Sequence, residues 1–186
     1  TASYLTDLVD LHLHLGSSST PHFLWELAHE QGIRLGQKDY WSFINSITIK
    51  EQTTYDNYLH FFDLTELIQS STYAIERATH QAVSRSYRKG NISSMEVRFN
   101  PMLRNKGGQQ DLDKIIFSAL VGMKRACMEY PVKAGLILMM DRRFSKEKND
   151  IIASKAAKFA SEGVVGFDIA GPLTPTFAVR DLVDAV

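Results

Sequence analysis

The stretch Leu8–Ser19 reads LVDLHLHLGSSS and places two histidines, His12 and His14, two residues apart inside an apolar run. In an extended strand residues i and i+2 point to the same face, so both imidazoles emerge side by side. A lone histidine in such a run is ordinarily a surface group or a hydrogen-bonded core residue. Two that converge near the end of a strand supply half of a divalent metal site, because neutral imidazole nitrogen is a good donor for such ions. In parallel α/β folds that end of the strand is where active sites are built.

Working outward, three more short apolar runs read as strands: Ser94–Phe99 (SMEVRF), Ala134–Met140 (AGLILMM) and Val164–Ala170 (VVGFDIA). With Leu8–Leu15 they make four, and their composition suits strands covered on both faces. Helical patterns fill the gaps. Thr20-Pro21 reads as an N-cap followed by a first-turn proline, opening a helix to about Gln31 and stopping at Gly32. Thr54–Ser70, Thr72–Lys89, Asp111–Glu129 and Lys146–Ser161 are further helices, and Arg180–Val186 reads as the opening of one more. The connection from Leu15 to Ser94 is too long for one helix and must hold several. Strand alternating with helix predicts an α/β fold with a parallel sheet. The glycine-rich phosphate loop of a dinucleotide-binding fold does not follow the first strand.

Bulk properties narrow the function classes. The 186 residues are 44% hydrophobic and 23% charged, which is the make-up of a folded globular chain. Acidic and basic residues balance at 21 each, so charge gives no reason to expect nucleic acid or an anionic membrane as partner. No apolar run approaches the ~18 residues of a membrane span. The single cysteine, Cys127, reads as a small apolar side chain on a helix; it excludes an internal disulfide and fits a reducing compartment. The first residues carry Asp7 and Asp10 and lack a basic signal-peptide region, so a soluble cytoplasmic protein is expected.

Other groups could carry chemistry. Glu96 and Arg98 share one face of the second strand, where an ion-pair role for Arg98 is at least as well motivated as ligand contact. Asp168 lies inside an apolar strand and needs a partner. Gly171 ends that strand and allows a ligand to approach the backbone. In YLHFFD, residues 58–63, aromatics at helical spacing read first as core; His60 is expected toward solvent or a helix neighbour. Ser17, Ser18 and Ser19 could cap the next helix, line a pocket, or both. A G-x-S-x-G nucleophile motif does not occur.

Taken in order, DLHLHL, YLHFFD, MEVRFNP, GLILMMDR and GVVGFDIAG resemble the adenosine deaminase family of the amidohydrolase superfamily. The resemblance implies a (β/α)8 TIM barrel of which this chain supplies the first four strands. It implies one zinc per site, with His12 and His14 as two metal ligands, and hydrolytic deamination of an adenosine- or adenine-type purine with release of ammonia. Gly171 would offer its backbone to the purine. Tyr58, Leu59 and Phe62 would line an apolar lid, and Gly16 and Ser17 would lie at the substrate. Gly16 stands where the family usually has Asp or Glu, a residue that helps select the sugar or base.

The family's third metal histidine, catalytic glutamate, orienting histidine and metal aspartate follow the fourth strand. No catalytic residue is therefore expected within this chain. A full barrel needs about 250 residues, so residues 1–186 are expected to be the N-terminal half of one barrel domain, with its C-terminal half as partner. Two further readings stay open at this point: another metal-dependent hydrolase with an H-x-H strand, and an inactive deaminase-like binding module.

Overall fold

The computed structural model describes residues 7–105 and 110–172. Four strands, β1 (Leu8–His14), β2 (Ile92–Phe99), β3 (Lys133–Asp141) and β4 (Val164–Ala170), form one sheet in that order, and every neighbouring pair is parallel. Five helices lie between β1 and β2: α1 (Leu15–Ser18), α2 (Pro21–Glu30), α3 (Tyr40–Ser46), α4 (Tyr55–Ile68) and α5 (Thr72–Gly90). α6 (Leu112–Glu129) joins β2 to β3, and α7 (Lys146–Lys158) joins β3 to β4. Short 3-10 turns follow β2 at Pro101–Arg104 and α7 at Ala160–Glu162.

Local chemistry sets the helix starts. The side chains of Thr20, Asp39, Thr54, Ser71 and Asp111 each accept a backbone N–H from the first turn of the helix they precede, satisfying donors that the helix itself leaves unpaired. Pro21 sits at the first helical position. The α5 helix runs through Gly90 and is closed by Asn91 in the left-handed region, φ 53°. The stop is thus one residue later than the glycine suggests.

The pleat divides each strand between two environments. Met95, Val97 and Phe99 of β2, with Leu136, Leu138 and Met140 of β3, are buried in the core beneath the helices. Arg98 of β2, Met139 and Asp141 of β3, and Asp168 of β4 line a cleft. The two central strands are covered as expected. The two edge strands are not: Leu8, Val9 and Leu11 of β1 and Val165 and Phe167 of β4 stay exposed. The expectation of four strands covered on both faces is corrected there: among the described residues β1 and β4 each have a strand neighbour on one side only. Leu15, expected to end the first strand, begins α1.

β1 is also irregular. Asp10 pairs with Met95 and Leu13 with Val97, so β1 advances three residues against two of β2. This is a bulge, which releases a peptide from the ladder and re-aims a side chain. Among the described residues no helix is long and apolar enough to cross a membrane. Cys127 lies half-buried on α6 against the core, and burial pushes its thiol pKa up. The Arg180–Val186 helix expectation and the side chain of His60 lie outside the described residues.

Candidate metal centre and cleft

His12 and His14 leave the same face of β1, as the spacing requires. Their Nε2 atoms approach to 3.1 Å, with ring centroids 5.0 Å apart. Two imidazoles bound to one tetrahedral metal at about 2.05 Å bring their nitrogens to about 3.3 Å. The observed convergence fits that geometry. Burial, then the His12 and Arg98 charges, hold the His14 pKa below its ordinary value against the opposing pull of Asp168. The neutral, ligating form is thereby favoured. Among the described residues no group of three or more His, Cys, Asp or Glu side chains gathers to hold a metal.

The histidines open into a cleft of about 800 Å³. It brings together most of the residues singled out in the sequence. Ser17 of α1 and Tyr58, Leu59 and Phe62 of α4 form one wall, and Gly171 lies at the end of β4. Tyr58 and Phe62 meet edge to face, centroids 5.2 Å apart. Gly16 lines a smaller, mostly apolar recess of about 280 Å³, which shares Ser17, Tyr58 and Phe62 with the main cleft.

The absence of a side chain at Gly16 leaves no hole. An added Cβ would come within 3.2 Å of Arg104 Nη2 and 3.4 Å of Phe62 Cδ1. Arg104 is 2% exposed and donates a long hydrogen bond (3.4 Å) to Gln69 Oε1, and among the described residues its Nε has no partner. Burial pushes its guanidinium pKa down, while the charge of Glu66 opposes that shift.

Charged groups that the sequence reading did not assign to the site complete the cleft. Arg98 pairs with Asp168 two strands away and donates from Nη2 to the Leu11 carbonyl at 2.8 Å. The partner that Asp168 required is therefore Arg98. Asp141, 4% exposed, accepts from Arg143 N at 2.8 Å, Arg143 Nε at 2.9 Å and Arg143 Nη2 at 2.6 Å. These bonds push the Arg143 guanidinium pKa up. Arg142 donates from Nη1 to the Gly171 carbonyl at 2.7 Å. Asp63 and Glu66 line the cleft from α4. The local signal was present for some of these: MMDRR clusters three charges where β3 ends, and Asp63 and Glu66 follow Leu59 and Phe62 at helical spacing.

The family model for adenosine deaminase matches residues 8–185. An adenosine deaminase of Vibrio atlanticus is 36% identical over 174 residues, covering 92% of this chain and 51% of the relative. The chain spans about half the length of the curated relatives it matches. Among solved structures, a zinc-bound amidohydrolase of Burkholderia ambifaria superposes with a TM-score of 0.81 at 16% identity, over 97% of this chain and 48% of that one. The Arabidopsis ADAL protein complexed with GMP superposes with a TM-score of 0.79 at 21% identity, over 96% and 54%. The four parallel strands and their helices match the first part of the (β/α)8 barrel fold of these structures. The chain belongs to the adenosine deaminase family.

Proposed function

We propose that residues 1–186 form the N-terminal half of a single zinc-dependent purine deaminase domain. The observation that carries this reading is the pair of imidazole nitrogens 3.1 Å apart at the mouth of a nucleoside-sized cleft, in a chain of this family. The reaction replaces the 6-amino group of an adenosine- or adenine-type purine with oxygen from water and releases ammonia. Zinc, when bound, makes its water acidic enough to supply hydroxide near neutral pH.

His12 and His14 hold two of the metal's positions. Three protein ligands are the usual catalytic set, so at least one more comes from the C-terminal half, together with the glutamate that protonates the ring. Tyr58, Leu59 and Phe62 exclude water from one side of the purine, which strengthens every polar interaction inside the cleft. The Gly171 backbone meets the ring, its carbonyl already fixed by Arg142. Ser17 and Gly16 border the group that the purine carries. The C-terminal half also covers the open edges of β1 and β4. Zinc in the Burkholderia amidohydrolase and GMP in the Arabidopsis protein support a metal and a purine ligand here. The even charge balance and the single cysteine support a cytoplasmic protein without nucleic-acid or membrane partners.

The test is ammonia release from adenosine and from adenine by the zinc-loaded full-length protein, with zinc content measured alongside. About one zinc per polypeptide and turnover of one purine are expected, both lost in His12→Ala. A zinc-loaded protein that releases no ammonia from either purine overturns the proposal.

A further inference from the structure

The peptide that links Leu11 to His12 lies in the β1 bulge, between the paired residues Asp10 and Leu13. A strand peptide taken out of its ladder must find other partners for both its polar groups. Here each is met by a side chain. The His12 N–H donates to Asp10 Oδ1 at 2.9 Å, and the Leu11 carbonyl accepts from Arg98 Nη2 at 2.8 Å. Arg98 is itself anchored by Asp168 of β4, whose other oxygen accepts from the Ile169 N–H at 2.6 Å.

We propose that Asp10 and Arg98 are positioning residues for His12: they grip the two ends of one peptide unit and so fix the direction in which the His12 ring leaves the strand. The inference rests on the zinc-deaminase reading. Neither residue touches the metal or the purine in this role. Asp10 acts through the amide of His12, and Arg98 acts through the carbonyl before it. A rotation of this peptide would swing the His12 Nε2 away from that of His14, and a bidentate imidazole pair would become two separate ligands. Outer partners of metal ligands characteristically shift metal affinity by 10- to 100-fold when removed.

The experiment measures zinc affinity of the full-length protein by chelator competition, with thermal melting of the zinc-free forms in parallel. Asp10 is the informative site, because its carboxylate holds the His12 N–H directly, whereas Arg98 is buried and also pairs with Asp168, so that its removal would disturb the sheet as well. Asp10→Ala is expected to raise the zinc dissociation constant about tenfold or more, with the zinc-free melting temperature held within about 2 °C. Asp10→Asn keeps an oxygen acceptor at the same place and is expected to stay within about threefold of the parent. An unchanged zinc affinity in Asp10→Ala overturns the inference. So does an Asn variant that loses as much as the Ala variant, since the acceptor atom would then be irrelevant. If the parent protein binds no zinc at all, the deaminase reading falls and takes this inference with it.

Discussion

Replacing Gly171 with alanine tests the turn on which the proposed purine contact depends. Gly171 sits at φ +87°, a region that L-residues enter at a cost of roughly 1–2 kcal/mol. Its added methyl would lie 2.6 Å from Asp141 Oδ1 and 3.1 Å from Asp141 Cγ. That oxygen cannot simply step aside. It accepts from both the backbone N and the Nε of Arg143, at 2.8 and 2.9 Å. Giving up one such bond to a charged donor costs roughly 1.5–3 kcal/mol. The two contributions together destabilise the protein by about 3 kcal/mol. Gly166 of the same strand is the control, because among the described residues nothing lies within 4 Å of a Cβ placed there. Urea denaturation of the full-length protein should show a large fall in midpoint for Gly171→Ala, at unchanged m-value, and none for Gly166→Ala. The Michaelis constant for the purine should rise with Gly171→Ala as well. A loss under about 0.5 kcal/mol for Gly171→Ala would show that the β4 turn yields freely and refute the argument.

Three further outcomes follow from the same kind of reasoning. Asp168→Ala leaves Arg98, 8% exposed, without its carboxylate and should lower unfolding free energy by about 2 kcal/mol, the partial exposure of Asp168 keeping the loss below that of a fully buried pair; an isothermal denaturation curve measures it. Gly122→Ala drives a methyl to 2.1 Å from the Glu76 carbonyl oxygen, so the α5–α6 contact must open, and a loss of about 2 kcal/mol should outweigh the roughly 1 kcal/mol gained in helix propensity. Hydrogen bonds from Lys155 and then Lys158 hold the Asp113 pKa below its ordinary value, so its contribution is present above the unfolded-state pKa and is lost as pH falls through the lower folded one. Asp113→Asn should therefore cost under about 1 kcal/mol at pH 7 and nothing near pH 2, a difference that denaturation at the two pH values reads directly.

The regular elements were legible because their signals are local. Alternation placed His12 and His14 on one face, Thr20-Pro21 and Asp111 marked helix starts, and the apolar runs marked the strands, all within windows of a few residues. What escaped depends on distance. Arg98 and Asp168 lie 70 residues apart and pair over the intervening strand, so neither one's neighbourhood names the other. Arg104 comes to rest beside Gly16 because the turn after β2 packs against α4 and α6. The α1 and α3 helices, four and seven residues long, are too short to show a period. The bulge in β1 leaves no mark in LVDLHLHL, since it is a relation between β1 and β2.

That bulge has a consequence for solubility. β1 is an edge strand with Leu8, Val9 and Leu11 exposed, the kind of strand on which another extended chain can add itself and start an aggregate. A regular edge would offer a continuous template. In β1 the run is broken between Asp10 and Leu13, the His12 amide is already taken by Asp10, and the Leu11 carbonyl by Arg98. The irregularity proposed to aim His12 also spoils this edge as a mould for misassembly, so straightening it would favour self-association.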